Sequence, residues 1–318
     1  MVAIGFIGLG NVGSKLAGTL VRQGTELVVL DTAPEAMAPL VGAGAKPAAS
    51  PQDLASRCEV VITCLPSPAI VANVMEASDG VLSGMRPGSI WVEMSTTDAR
   101  EVLRLGELIA LRGGQAADCP VSGGCHRAAT GNISIFAGCN RRTFERLLPL
   151  LTVMGRRVLH TGDLGSASQL KVVTNYLATA NLIAVTEALA ACAKVGLDLG
   201  VAYEAIAASS GTSFVHETES QVILNGSRDI NFTMDLVKKD VGLFNSMARE
   251  AGMTLELATL VAEVFDDGIE RYGPREWSPN IIRRLEDEYG LDVRAPGFPA
   301  EIVDDEPEEL GGEIVVRR

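Results

Sequence analysis

The chain has 318 residues, 47% of them apolar and 21% charged, enough for about two packed domains and incompatible with global disorder. Forty acidic residues against 27 basic ones leave a formal charge of −13. That balance speaks against nucleic acid or an anionic membrane surface as a partner, while leaving room for a small anionic substrate held by one local cationic pocket.

The opening MVAIGFIGLG has no cationic stretch and no small-residue cleavage site, so no secretory leader is expected. Short runs rich in Val and Ile, bounded by Gly, Pro or Asp, predict strands at 3–7, 26–30, 60–64, 89–93, 115–119 and 133–137. Helical stretches lie between them at 12–23, 51–56, 69–77, 98–111 and 141–151. Such alternation predicts a mostly parallel sheet with helices on both faces. The pattern changes after Gly165. Residues 166–195 read as one long helix, with Ser166 or Ser168 as its cap and Gly196 at its end. Only helical signals follow, at 200–208, 213–224, 234–251, 254–267 and 279–288. The final stretch carries Pro296, Pro299 and Pro307 and the acids Asp304, Asp305, Glu306, Glu308 and Glu309, and reads as an extended, partly ordered tail. The expected division is therefore 1–164, a linking helix at 165–195, an all-α region at 196–290 and an acidic tail at 291–318.

No run of about 18 apolar residues is free of polar interruption, and 176–195 is broken by Asn181, Glu187 and Lys194, so no membrane span is expected. Six cysteines (Cys58, Cys64, Cys119, Cys125, Cys139, Cys192) form no CxxC pair and have only three histidines to join them. They read as reduced core thiols of a cytoplasmic protein, with no metal site.

The segment AIGFIGLGNVG places Gly8, Gly10 and Gly13 in a GxGxxG pattern. The first glycine lets the chain turn sharply out of a strand. The second removes a side chain where a pyrophosphate approaches, and the third lets helix and strand pack closely, so that helix N–H groups face the phosphates. The pattern follows a strand, opens a helix and precedes a second strand ending in Asp31, whose carboxylate suits a ribose 2′-hydroxyl. Thr32, Ala33 and Pro34 supply no cation for a 2′-phosphate, which favours NAD over NADP. Lys171 and Asn175, at i and i+4, share one face of the long helix, and both are polar residues in an apolar setting. A desolvated lysine beside a nicotinamide can exchange a proton near neutrality. Ser122-Gly123-Gly124 follows a strand end, where backbone N–H groups and the serine hydroxyl can form an anion nest. Phe214, Phe232 and the three histidines carry weaker signals, read more simply as core or loop residues.

Taken in order, GFIGLGNVG, EMST at 93–96, DCPVSGG at 118–124, GSASQLKVVTNY at 165–176 and KKD at 238–240 resemble the β-hydroxyacid dehydrogenase family over roughly residues 1–290. The resemblance implies an α/β Rossmann-type N-terminal domain plus an all-α C-terminal domain joined by a long helix. It implies an NAD-dependent oxidoreductase that interconverts a small 3-hydroxy carboxylic acid and its semialdehyde or keto form. Carried over residue by residue, it makes Lys171 the general acid/base with Asn175 orienting substrate. Ser122, Gly123 and Gly124 then bind the substrate carboxylate. Gly8, Leu9, Gly10, Asn11, Val12, Gly13, Asp31, Leu65, Pro66, Thr96 and Lys239 meet the cofactor, with Asp240 beside Lys239. Met94, the run Cys125-His126-Arg127, and Asn132 after Gly131 depart from the family pattern near the expected pocket entrance or sheet edge, and the acidic tail runs past the usual end of the fold. Two other readings are a non-catalytic dehydrogenase-fold binding module and an imine reductase relative, both of which typically replace the lysine. The long helix carries Leu177, Ala178, Leu182, Ile183, Val185 and Leu189 on more than one face, so burial by a second subunit, in a homodimer or homotetramer, is expected.

Overall fold

The computed structural model describes residues 3–316. Their contacts divide into two compact units, one of 3–171 with 304–316 and one of 172–303.

The first unit is built on one sheet. Its strands are β1 (Ile4–Ile7), β2 (Leu27–Leu30), β3 (Lys46–Pro47), β4 (Val60–Thr63), β5 (Ile90–Glu93), β6 (Gln115–Asp118), β7 (Val121–Ser122), β8 (Ile133–Gly138), β9 (Gly155–Gly162) and β10 (Gly312–Glu313). The order is β10-β9-β8-β6-β5-β4-β1-β2-β3, with β7 against β8. All neighbours from β3 to β6 run parallel, and β8 is antiparallel to β6. The helices are α1 (Gly13–Arg22), α2 (Pro34–Gly42), α3 (Pro51–Arg57), α4 (Pro68–Glu76), α5 (Val81–Gly84), α6 (Ala99–Ala110), α7 (Gly124–Thr130) and α8 (Arg141–Met154).

The local sequence explains these boundaries. Proline opens α3 and α4, and Ser50 and Ser67 accept N–H bonds there from Asp53 and Ile70. The strands are buried on both sides. Ile4, Phe6, Leu27, Val29, Ile62 and Val92 pack with α1, α7 and α8, whereas Val28, Val61 and Trp91 pack with α3, α4 and α6. No disulfide joins any of the six cysteines. Burial pushes the Cys58 thiol up to about 11 and the Cys139 thiol to about 12, which makes them inert apolar filler.

The six expected strands are present within a residue or so. The misses have physical causes. β9 buries only Gly155 and Val158 and is otherwise Arg156, Arg157, Leu159, His160, Thr161 and Gly162, so no apolar run marks it. α2 carries Pro39 inside it, which breaks a helical reading.

The second unit is helical. It takes most of α9 (Ser166–Lys194), then α10 (Leu199–Ala207), α11 (Phe214–Asn225), α12 (Met234–Glu250), α13 (Glu256–Tyr272) and α14 (Arg283–Tyr289), with a 3-10 turn at Ser278–Ile282 where a single helix was expected. Leu182, Val185 and Leu189 of α9 are buried in its core with Ile223, Val237, Val261 and Phe265. Three positions thought to need cover from outside are therefore covered within the chain. Leu170, Val173 and Leu177 remain exposed along one stripe of α9. By length and composition α9 meets the requirement for a membrane span, with an 18-residue window of mean hydropathy 1.4. A third of that window is buried, and Leu182, Val185 and Leu189 pack into the helical unit's core.

The acidic segment docks on the first unit. β10 pairs parallel with β9. Glu313 takes two bonds from Arg141, at 2.6 and 2.9 Å, and Glu309 pairs with Arg156 at 3.0 Å. Glu308 meets Arg22 and Gln23. Asp304 accepts from the Thr130 hydroxyl and the Asn132 amide. A side chain on Gly311 would collide with the Gly155 carbonyl, so only glycine allows this approach. Asn132 and Arg127, placed by the sequence near a pocket entrance or sheet edge, hold this segment, Asn132 through the Glu306 carbonyl and Arg127 through the Glu306 carboxylate at 3.3 Å.

Exposed ion pairs contribute about 0.2–1 kcal/mol each. Deleting residues 304–318 should therefore lower the melting temperature of the first unit by about 3–10 °C and leave the β9 edge open to association. Calorimetry with light scattering checks this. An unchanged melting temperature would show that the docked segment contributes nothing.

Candidate active site

The strand order reverses direction at β1, with β2 on one side and β4 on the other, and in such sheets ligands bind beyond the carboxyl ends at this point. The candidate residues of the first unit lie along that edge. Gly8 follows β1 at φ 93°, and a side chain there would collide with the Cys64 carbonyl. A side chain on Gly13 would collide with the Gly8 carbonyl. Gly10, by contrast, is exposed, and a Cβ there would meet nothing within 4 Å. Two glycines thus allow the turn, and the third leaves its outer face open. Asn11 and Val12 lead into α1, with Val12 in the N-cap position.

Asp31 turns back onto this loop. Its Oδ2 accepts the Leu9 N–H at 2.6 Å and its Oδ1 the Ala33 N–H at 2.9 Å. The carboxylate therefore fixes the glycine turn in addition to any ribose it meets. These residues fit a dinucleotide: an open glycine face, a helix start behind it and a half-buried acid at the next strand end.

Leu65 and Pro66 follow β4. The Leu65 N–H donates to Ser95 Oγ at 2.7 Å. Behind them runs a buried chain of hydrogen bonds. Trp91 Nε1 donates to Thr63 Oγ at 2.8 Å, Thr63 donates to Glu93 Oε2 at 2.8 Å, and the Ser95 N–H donates to Glu93 Oε1 at 2.6 Å. Burial pushes the Glu93 carboxyl up to about 7, against these donors and with Asp118 nearby adding to the rise. Thr96 is the half-buried residue beyond. Sequence reading used the segment 93–96 only as a motif and missed Glu93 and Ser95 as its anchors. A charged residue ending an otherwise apolar strand was the available signal.

Ser122 ends β7. Gly123 and Gly124 follow at φ 128° and 85°, a turn that residues with a Cβ resist. A Cβ on Gly124 would come within 2.7 Å of the His126 ring, so this half-buried imidazole sits against the turn. Lys171 lies in the second turn of α9 and is 7% exposed. Neither Ser166 nor Ser168 supplies the expected cap through its hydroxyl. Ser166 Oγ pairs with Thr161 Oγ at 2.7 Å, and the α9 N-terminus is held by Asp118.

In the second unit, Asn175 Nδ2 donates to Asp240 Oδ2, and Lys239 Nζ lies 3.1 Å from Asp240 Oδ1. Buried Asp240 thus joins two candidate residues, Asn175 and Lys239, that are 64 positions apart in the chain. Tyr176 stacks on Phe244 at 4.2 Å beside them. Phe232 is partly buried core, whereas Phe214 is exposed. His216 is a satisfied core residue, bonded to Ser220 and the Tyr203 carbonyl.

Residues 3–162 match the family described as the NAD binding domain of 6-phosphogluconate dehydrogenase, and 165–285 match the one described as NAD-binding of NADP-dependent 3-hydroxyisobutyrate dehydrogenase. The chain is 32% identical to 2-(hydroxymethyl)glutarate dehydrogenase of Eubacterium barkeri over 293 residues, covering 92% of this chain and 97% of that one. It is 31% identical to 3-sulfolactaldehyde reductase of Escherichia coli K12 over 280 residues, covering 87% and 94%. Among solved structures, 3-hydroxyisobutyrate dehydrogenase from Salmonella typhimurium superposes with a TM-score of 0.82 at 28% identity, covering 89% of this chain and all of that one. An imine reductase from Myxococcus stipitatus, at 16% identity and a TM-score of 0.61, shares the fold alone.

The buried acids give a pH test. Glu93 holds its proton more tightly in the folded chain than in the unfolded one. Between its ordinary value and about 7 the native state therefore binds more protons, and its share of stability is lost as pH rises through that window. Glu219, pushed up to about 8 by burial alone, adds the same trend. Glu93→Gln should flatten the fall in melting temperature from pH 5 to 7. A slope equal to that of the parent would show that Glu93 ionises at its ordinary pH.

Proposed function

The chain belongs to the β-hydroxyacid dehydrogenase family, and from that premise we propose that Lys171 is its proton-transfer residue. The enzyme is a nicotinamide-dependent dehydrogenase that interconverts a small 3-hydroxy acid and its semialdehyde or keto form. The bound nicotinamide supplies the hydride chemistry. What remains for the protein is to hold the substrate and to manage the proton released when the alcohol is oxidised. Lys171 is a buried amine on a rigid helix, one turn before Asn175. The amine takes the hydroxyl proton during oxidation and returns it during reduction. We assign Asn175, anchored by Asp240, to orienting the substrate oxygen, and Lys239, paired with the same acid, to the cofactor.

Ser122, Gly123 and Gly124 hold the substrate carboxylate through the serine hydroxyl and the turn's N–H groups. Gly8 to Gly13, Leu65, Pro66 and Thr96 hold the dinucleotide. Asp31 favours NAD, because a 2′-phosphate beside a carboxylate already fixed by Leu9 and Ala33 is repelled. The observation that carries the reading is the burial of Lys171 on α9 within a chain whose dinucleotide edge is intact. The net charge and the reduced cysteines suit a cytoplasmic enzyme of small carboxylates.

We further propose a homodimer, or a tetramer of dimers, joined through the helical unit. The support is the exposed stripe Leu170, Val173 and Leu177 on α9, with Leu257 and Leu260 exposed on α13.

Lys171→Ala should lower kcat by roughly 10²–10⁴-fold while leaving NAD affinity nearly intact, and the parent enzyme should prefer NAD to NADP in kcat/KM. Near-normal turnover of the variant under chemistry-limited conditions would remove Lys171 from this role. For the assembly, light scattering at micromolar concentration should return a multiple of 33.5 kDa, and the monomer mass would refute it.

A further inference from the structure

Helix α9 begins without a capping hydroxyl from its own first turn. The residue before it is Gly165, at φ 89°, which has none to offer, and the hydroxyl of Ser166 is turned to Thr161. The first four N–H groups of a helix have no partner within it and need one from elsewhere. Here a residue 47 positions earlier provides it. Asp118, the last residue of β6, is fully buried, with Oδ1 accepting the Gly165 N–H at 2.8 Å and Oδ2 accepting the Ser168 N–H at 2.6 Å. These are the two donors that a capping box satisfies locally, the cap residue and the third helical residue. Both are taken by one carboxylate from another element. Its negative charge also sits at the positive end of a 29-residue helix.

The site is built for this contact. A Cβ on Gly138, the strand partner of Asp118, would collide with Oδ1 and come within 3.0 Å of the Ala167 nitrogen. The carboxyl is raised by burial, with the bonds from Gly165 and Ser168 acting against the rise. A buried carboxylate that accepts a charge-assisted bond on each oxygen fixes two backbone atoms at once. Ser168 precedes Lys171 by three residues, close to one helical turn, so the same bonds set the rotation and height at which Lys171 leaves the helix.

We propose that Asp118 is a positioning residue for the reaction: it pins the first turn of α9 to the end of β6 and so fixes where the Lys171 amine is presented. This rests on the assignment of Lys171 as the proton-transfer group. β6 is hydrogen-bonded to β5 with Glu93 opposite Asp118. The strand that bears the cofactor-lining segment and the strand that holds the lysine helix are thus locked side by side. Presentation of the amine relative to the dinucleotide edge is decided by two backbone bonds.

The test is a double-mutant cycle on the full-length enzyme. Asp118→Asn keeps the shape but places an amide NH2 where an N–H must be accepted. It should lower kcat by roughly 10–100-fold, the scale of a 1 Å misplacement, with the Kd for NAD within about twofold of the parent. In the Lys171→Ala background the same substitution should cost less than about twofold, because the group it positions is gone. Amide exchange at Gly165 and Ser168 should quicken. A full, additive loss in the Lys171→Ala background would overturn the proposal, and so would an unchanged kcat together with unchanged exchange. Near-normal turnover of Lys171→Ala alone would instead overturn the lysine assignment, while the exchange data would still report on the joint. Should Asp118→Asn fail to fold, Gly138→Ala displaces the carboxylate without removing its charge and should give the same kcat loss and the same coupling to Lys171. Additivity there would overturn the proposal equally.

Discussion

Gly8 and the Cys64 carbonyl meet at the carboxyl ends of β1 and β4, so closely that a single methyl group would not fit. This approach depends on the strand order. Only where the sheet reverses its winding do two neighbouring parallel strands send their connections to opposite faces and leave a crevice between them. The glycine turn, the Asp31 clasp on Leu9 and the Leu65 segment all border that crevice. Were Gly8 any larger, β1 and β4 could not end side by side, and the residues along this edge would lose their common frame.

Two buried carboxylates carry the next level of organisation. Glu93 and Asp118 end adjacent strands in register, each deep in the molecule. Burying a carboxyl group is costly unless its oxygens are bonded. Here both acids are bonded on both oxygens, Glu93 to Thr63 and Ser95, Asp118 to Gly165 and Ser168. The desolvation is offset by hydrogen bonds, three of them from the backbone N–H groups of Ser95, Gly165 and Ser168, so the acids also fix main chain. Asp240 in the helical unit joins side chains: its Oδ2 accepts from the Asn175 amide and its Oδ1 pairs with the Lys239 amine.

The acidic segment at 304–316 solves a different problem. β9 is a polar outer strand with few apolar residues, and an unpaired edge invites association. β10 caps it, while Arg22, Arg127, Arg141 and Arg156 meet acidic side chains of the segment. In a chain of net charge −13, much of the clustered negative charge of the tail is thereby matched locally. The departures from family pattern at Arg127 and Asn132 belong to this docking surface.

The sequence alone determined the alternating strands and helices, the all-helical second half, the glycine turn and Asp31, because each is written in local chemistry: β-branched runs, apolar periodicity, a fixed glycine spacing. It also placed Lys171 and Asn175 on one helical face, since that follows from 3.6 residues per turn. It did not show β9 or β10, whose stability comes from pairing and ion contacts and not from burial. Nor did it show that Asp118 caps a helix 47 residues away, that Glu93 anchors Leu65 through Ser95, or that Asp240 joins Asn175 to Lys239. Those bonds join residues distant along the chain. Only the tertiary structure decides them, because no local preference records which buried donor a carboxylate will find.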